Sequence, residues 1–90
     1  MGKPVLIDFF AEWCGPCRIQ GPILEDLRRS MGDQVEIRQI DVDQNMELAN
    51  RYAIRVVPTL IIEKDGKVMK TLEGVTSAES LKRILTPLVE

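Results

Sequence analysis

The chain has 90 residues, room for one domain (1–90) and one hydrophobic core. Hydrophobic residues make up 44% and the formal net charge is −2, with both signs interspersed. That composition excludes a disordered chain and leaves no basic stripe for nucleic acid or an anionic membrane. Histidine is absent, which excludes Ser-His and Cys-His catalysis and removes the commonest metal ligand.

The opening Met1-Gly2-Lys3-Pro4 has no signal-peptide pattern, and apolar runs such as residues 56–62 are too short to span a bilayer. The expectation is a cytoplasmic chain. Residues 5–10 form an apolar run interrupted only by Asp8 and predict a buried strand. A helix begins near Cys14, with Ile19, Ile23, Leu24 and Leu27 on its apolar face. Pro22 is expected to kink it, and Gly32-Asp33 to end it. Residues 35–42 predict a second strand of imperfect alternation: Val35, Ile37 and Gln39 share one phase, Ile40 and Val42 the other. Residues 45–52 predict a short helix capped at Asp43 or Asn45.

Two further strands, residues 58–63 and 67–73, join at Asp65-Gly66, a strong hairpin signal. Thr76 and Glu79 make a capping-box pattern for a last helix with Leu81, Ile84, Leu85 and Leu88 on its apolar stripe. Pro87 is expected to loosen its end. The order β-α-β-α-β-β-α predicts an α/β fold: a four-stranded mixed sheet flanked by three helices, opening with a right-handed crossover.

Both cysteines lie in Trp13-Cys14-Gly15-Pro16-Cys17, where the first strand gives way to the first helix. The first turn of a helix carries unpaired N–H groups and a partial positive charge. A thiolate there is stabilised, so the Cys14 pKa is expected below that of a free cysteine. Arg18 adds a cation, and Pro16 suits an early helical position. Two intervening residues let the second sulfur fold back to the first. Cys14, read as the more exposed sulfur, would attack a substrate disulfide. Cys17 would then resolve the mixed disulfide, leaving an oxidised Cys14–Cys17 pair.

Three rival explanations of the C-x-x-C remain. A zinc or iron–sulfur site wants more ligands than two sulfurs, so it requires carboxylate help or a second chain, as in a metal-bridged dimer. A structural disulfide or inert thiols fit the pair in isolation, but less well at a strand–helix junction of a cytosolic chain. A redox-idle scaffold would use the fold only to bind a partner.

Asp8 stands inside an apolar strand, where an unpaired charge is expensive. Desolvation is expected to raise its pKa and suit it to proton transfer near neutrality. A solvated strand-end carboxylate is the alternative. Phe9 or Phe10 reads as core packing, and Tyr52 as a residue that packs rather than reacts. Arg28, Arg29 and Lys64 read as solvated.

The segment Asp8-Phe9-Phe10-Ala11-Glu12-Trp13-Cys14-Gly15-Pro16-Cys17-Arg18 resembles the active site of thioredoxins. The similarity continues through Pro22-Ile23-Leu24, Ile40-Asp41-Val42-Asp43-Gln44-Asn45 and Tyr52-Ala53-Ile54-Arg55-Val56-Val57-Pro58-Thr59-Leu60 to Gly74. The resemblance implies a thioredoxin fold and a protein-disulfide reductase that binds no cofactor or metal. It makes Cys14 the attacking and Cys17 the resolving cysteine, with Gly15, Pro16 and Arg18 in support. Pro58 becomes a cis-proline facing them, Asp8 a proton carrier serving Cys17, and Val57 the residue whose backbone pairs with substrate. Trp13, Val56, Val57, Gly74 and Val75 would line an apolar contact surface. The implied partners are disulfide-containing protein substrates and a thioredoxin-reductase-like electron donor, with the chain a monomer.

Three departures from the family pattern set further expectations. The chain starts just before the Asp8 strand, without the family's usual preceding strand and helix, so residues 35–42 are expected to form a sheet edge. Gln39 replaces a lysine common near the buried aspartate, so Asp8 is expected to titrate higher than in a lysine-bearing relative. Phe10 replaces a tryptophan. The short build also resembles small glutaredoxin-like proteins, though Trp-Cys-Gly-Pro-Cys favours the thioredoxin activity.

Overall fold

A computed structural model describes residues 2–90. Strand β1 (Val5–Phe10) is buried along most of its length because its apolar side chains alternate between two covered faces. Leu6 joins Leu24, Leu27, Leu60, Ile62, Leu81 and Leu85 in the larger core, on one side of the sheet. Ile7 and Phe9 point the other way, where Ile61, Ile40, Leu48 and Tyr52 pack. The Phe9 and Tyr52 rings meet with centroids 5.3 Å apart, so both serve as packing residues. By the same two-residue alternation, Asp8 shares the face of Leu6.

Helix α1 (Gly15–Met31) covers that face and runs unbroken through the exposed Pro22. Its buried stripe is Cys17, Gln20, Leu24, Leu27 and Met31, spaced three and four apart. Ile19, expected on the stripe, is 59% exposed, and Gln20 takes the buried place instead. Strand β2 (Glu36–Asp41) pairs parallel to β1, with Asp8 opposite Gln39. Its uneven alternation has a simple cause: Val35 and Ile37 pack in the α1-side core, Ile40 and Val42 in the other.

Helix α2 (Met46–Arg51) follows, with Asn45 at its N-cap position. The expected side-chain cap is absent: Asn45 Nδ2 donates to the Asp41 carbonyl at 3.0 Å, and Asp43 is engaged elsewhere. Strands β3 (Thr59–Lys64) and β4 (Lys67–Glu73) form the expected hairpin. Asp65 (φ 52°) and Gly66 (φ 80°) have the paired positive φ of a type I′ turn. The sheet order is β2-β1-β3-β4, with β1 antiparallel to β3, so β2 is an edge as expected.

Helix α3 (Ala78–Leu85) packs beside α1 with Leu81 and Leu85 buried. Its cap is Ser77, whose hydroxyl accepts the Ser80 N–H at 3.1 Å, rather than the expected Thr76–Glu79 pair. The register moves by one because the Thr76 backbone is already bound by Gln20. A 3-10 turn, Thr86–Leu88, follows at Pro87. Lys64, expected to be solvated, is half-enclosed: its ammonium donates to the carbonyls of Gly2 and Leu88 and to the Glu90 carboxylate.

Candidate active site

Cys14 is the N-cap residue of α1, in extended geometry, and Pro16 falls in the first helical turn. This places Cys14 Sγ in front of the unpaired N–H groups of the helix start. Sγ accepts the Cys17 N–H at 3.1 Å, a side-chain cap made by sulfur. Cys14 and Cys17 are joined as a disulfide, with Cα atoms 5.3 Å apart.

As whole residues, Cys14 is 4% and Cys17 8% exposed, so both are buried in the oxidised pair. Both cysteines cluster with Ala11, and Phe10, Val42 and Val57 pack against that cluster. What distinguishes the sulfurs is hydrogen bonding, since Cys14 holds the cap. Arg18, expected as a nearby cation, is exposed. Its guanidinium donates to the Glu12 carbonyl at 3.4 Å, beside a hollow of about 170 Å³ lined by Phe10, Ala11, Glu12, Cys17 and Arg18.

The Val57–Pro58 peptide is cis, and the Val57 carbonyl oxygen lies 3.6 Å from Cys14 Sγ. Thr59 Oγ1 donates to the Val56 carbonyl at 2.6 Å, tying the loop to the start of β3. Trp13 is 70% exposed. Its indole Nε1 donates to Asp43 Oδ2 at 2.8 Å, a partner that sequence reading assigned to a helix cap. An apolar hollow of about 180 Å³ lies between Trp13, Val42, Ala49, Ile54, Arg55, Val56 and Val57. Gly74 and Val75 lie just beyond the end of β4, where the Gly74 N–H donates to the Pro58 carbonyl at 2.9 Å. Three of the five expected contact residues thus share the hollow, and two stand apart from it.

Asp8 is 1% exposed, and its Oδ1 finds no hydrogen-bond partner among the described residues. Desolvation raises its pKa to about 6, and a hydrogen bond from the Gln39 side chain opposes the rise. The solvated alternative is thereby excluded. Asp8 faces α1, the helix that carries Cys17, because it shares the side of Leu6. Among the described residues no three Cys, Asp or Glu side chains gather to hold a metal ion, and the redox element is the Cys14–Cys17 disulfide itself.

A vicinal pair of this kind, set at a helix start against a cis-proline on a four-stranded mixed sheet, defines a thiol–disulfide oxidoreductase. The thioredoxin family model matches residues 1–87. Among curated proteins, the thioredoxin of Bacillus subtilis (strain 168) is 46% identical over 81 residues, 90% of this chain and 78% of the relative. Thioredoxin 1 of Synechococcus elongatus is 40% identical over 82 residues, 91% of this chain and 77% of the relative. The X-ray structure of Fasciola hepatica thioredoxin superposes with a TM-score of 0.87 at 38% identity, covering 97% of this chain and 82% of that one. The chain belongs to the thioredoxin family.

Gln20 escaped sequence reading because a polar residue on an amphipathic helix is ordinarily assigned to solvent. Its position three residues after Cys17, on the buried stripe, was the available signal.

Proposed function

We propose that the chain reduces protein disulfides through a two-cysteine exchange opened by Cys14. The observation that carries this reading is the capping bond: the Cys17 N–H points at Cys14 Sγ at the start of α1. That bond and the helix dipole favour negative charge on Cys14. The Cys14 thiolate attacks one sulfur of the substrate disulfide, forming a mixed disulfide and expelling the other sulfur as thiolate. Cys17 loses its proton and attacks Cys14 Sγ. The second substrate sulfur leaves, and the Cys14–Cys17 disulfide forms. Two electrons have passed to the substrate, and its two thiolates take up protons.

Asp8 is the acceptor for the Cys17 proton. With a pKa of about 6 it is mostly ionised at neutral pH yet basic enough to receive one. The substrate chain docks as an extended segment against the Val57 backbone, beside Pro58. Its apolar side chains meet Trp13 and Val56 on one flank and Gly74 and Val75 on the other. Gly15 and Pro16 shape the helix start, and Arg18 braces the loop through Glu12.

The electron donor that restores the dithiol is a reductase of the thioredoxin-reductase kind. Residues 1–90 act as one unit, supported by a radius of gyration of 12.3 Å against about 12 Å for a single packed domain of this length. No helix among the described residues is long and apolar enough to cross a membrane. Our reading is a cytoplasmic monomer.

The test is turnover of a model protein disulfide with dithiothreitol as terminal donor. Wild type should turn over continuously and folded Cys14→Ser not at all. No turnover by folded wild type would overturn the mechanism.

A further inference from the structure

Gln20 lies on α1 one turn beyond Cys17 and is fully buried. A buried primary amide must satisfy both its NH2 group and its oxygen. Both find partners in a single residue. Nε2 donates to the Thr76 carbonyl at 3.0 Å, and the Thr76 N–H donates to Oε1 at 2.8 Å. The side chain thus pairs with the Thr76 backbone much as a neighbouring strand would.

Thr76 lies between β4 and α3, two residues beyond Gly74. Gly74 is itself strapped by its N–H to the Pro58 carbonyl at 2.9 Å. The segment Gly74-Val75-Thr76 is therefore fastened at both ends. One end is tied to the cis-proline, the other to the helix that carries the cysteines. Between the fastenings Val75 stands 43% exposed. Its place is set by the backbone on either side.

We propose that Gln20 is a positioning residue for substrate binding, fixing Thr76 and through it Val75 as an apolar contact for a protein-disulfide substrate. The proposal rests on the docking site described above. Without the amide, the Thr76 N–H and carbonyl lose their partners and turn to water, and substrate must reorder the loop as it binds. The thiol chemistry does not depend on the clamp, because the cap on Cys14 comes from within α1.

The test is Gln20→Met, which keeps the bulk of the side chain and removes both hydrogen bonds. It is assayed on a protein disulfide and on an aromatic disulfide too small to reach Val75. The KM for the protein disulfide should rise about tenfold at near-constant kcat, with the small disulfide reacting within about twofold of wild type. An unchanged KM, or equal slowing on both substrates, overturns the proposal. Deuterium exchange on wild type checks it without a variant. The Thr76 N–H should exchange much more slowly than an open loop amide, and exchange at the open-loop rate overturns the clamp. A folded wild type inactive on both substrates overturns the dithiol mechanism and the proposal with it. A wild type active on both, with Gln20→Met retaining its KM, overturns the proposal alone.

Discussion

Asp8 is a carboxyl group enclosed by the core, with one oxygen unpartnered among the described residues. Its ionised form is penalised in the folded state, so its pKa rises from 3.8 to about 6. Between these values the folded chain holds more protons than the unfolded one, and stability falls as pH rises. Above about pH 6 the whole penalty is present, on the order of 3 kcal/mol for a shift of this size. Asp8→Asn should therefore stabilise the protein at pH 8 by roughly 2–3 kcal/mol. The gain should shrink toward zero at about pH 3, where Asp8 is protonated in both the folded and the unfolded chain, and denaturant titration at the two pH values reads the difference. The same variant should slow turnover, because Cys17 loses its acceptor. Asp8 was legible in the sequence because a charge within an apolar run is conspicuous. Asp43 was not: its tie to the Trp13 indole spans thirty positions, and no local pattern announces such a pairing.

Elements were read best where periodicity and turn chemistry agreed. The β3–β4 hairpin follows from Asp65-Gly66, and the α1 stripe from its spacing. Helix caps were read less well, because neighbouring polar side chains compete to make them. Thr76 looked like the α3 cap, yet Gln20 holds its backbone and Ser77 caps instead. The end of α2 shows a residue out of keeping with its conformation. Ala53 has φ 56°, its N–H bonding the Asn50 carbonyl, while the Ile54 N–H closes back on Ala49. This left-handed helix ending normally uses glycine, which has no Cβ to crowd the carbonyl. Ala53→Gly should stabilise the protein by about 0.5–1 kcal/mol, the strain relieved exceeding the entropy lost. A thermal melt checks it, and a lowered Tm would show that the ending carries no strain.

For the whole molecule, a mixed sheet with helices on both faces was visible in the order of elements. The contacts that close the fold were not, because they join distant residues through polar groups. Strand β2 leaves one row of backbone groups unpaired at the sheet edge. Arg38 and Glu36 pair with each other there, and Arg38 and Gln39 are exposed. Charged side chains on an edge oppose strand-to-strand association. Sedimentation equilibrium should therefore give the 10.2 kDa of a single chain at micromolar concentration. A dimer mass would show that the charges fail to guard the edge.

Lys64 gathers the two ends of the chain, binding the carbonyls of Gly2 and Leu88 at once. It does so at the start of β1, where Val5 lies opposite Glu63. The cysteines follow the other end of that strand, about 17 Å away at the usual rise of an extended chain. The molecule thus has a handle and a working tip at opposite poles. A tether fixed to either terminus, or to both, leaves the tip facing outward, and a short linker closing the ends into a ring would span only the handle.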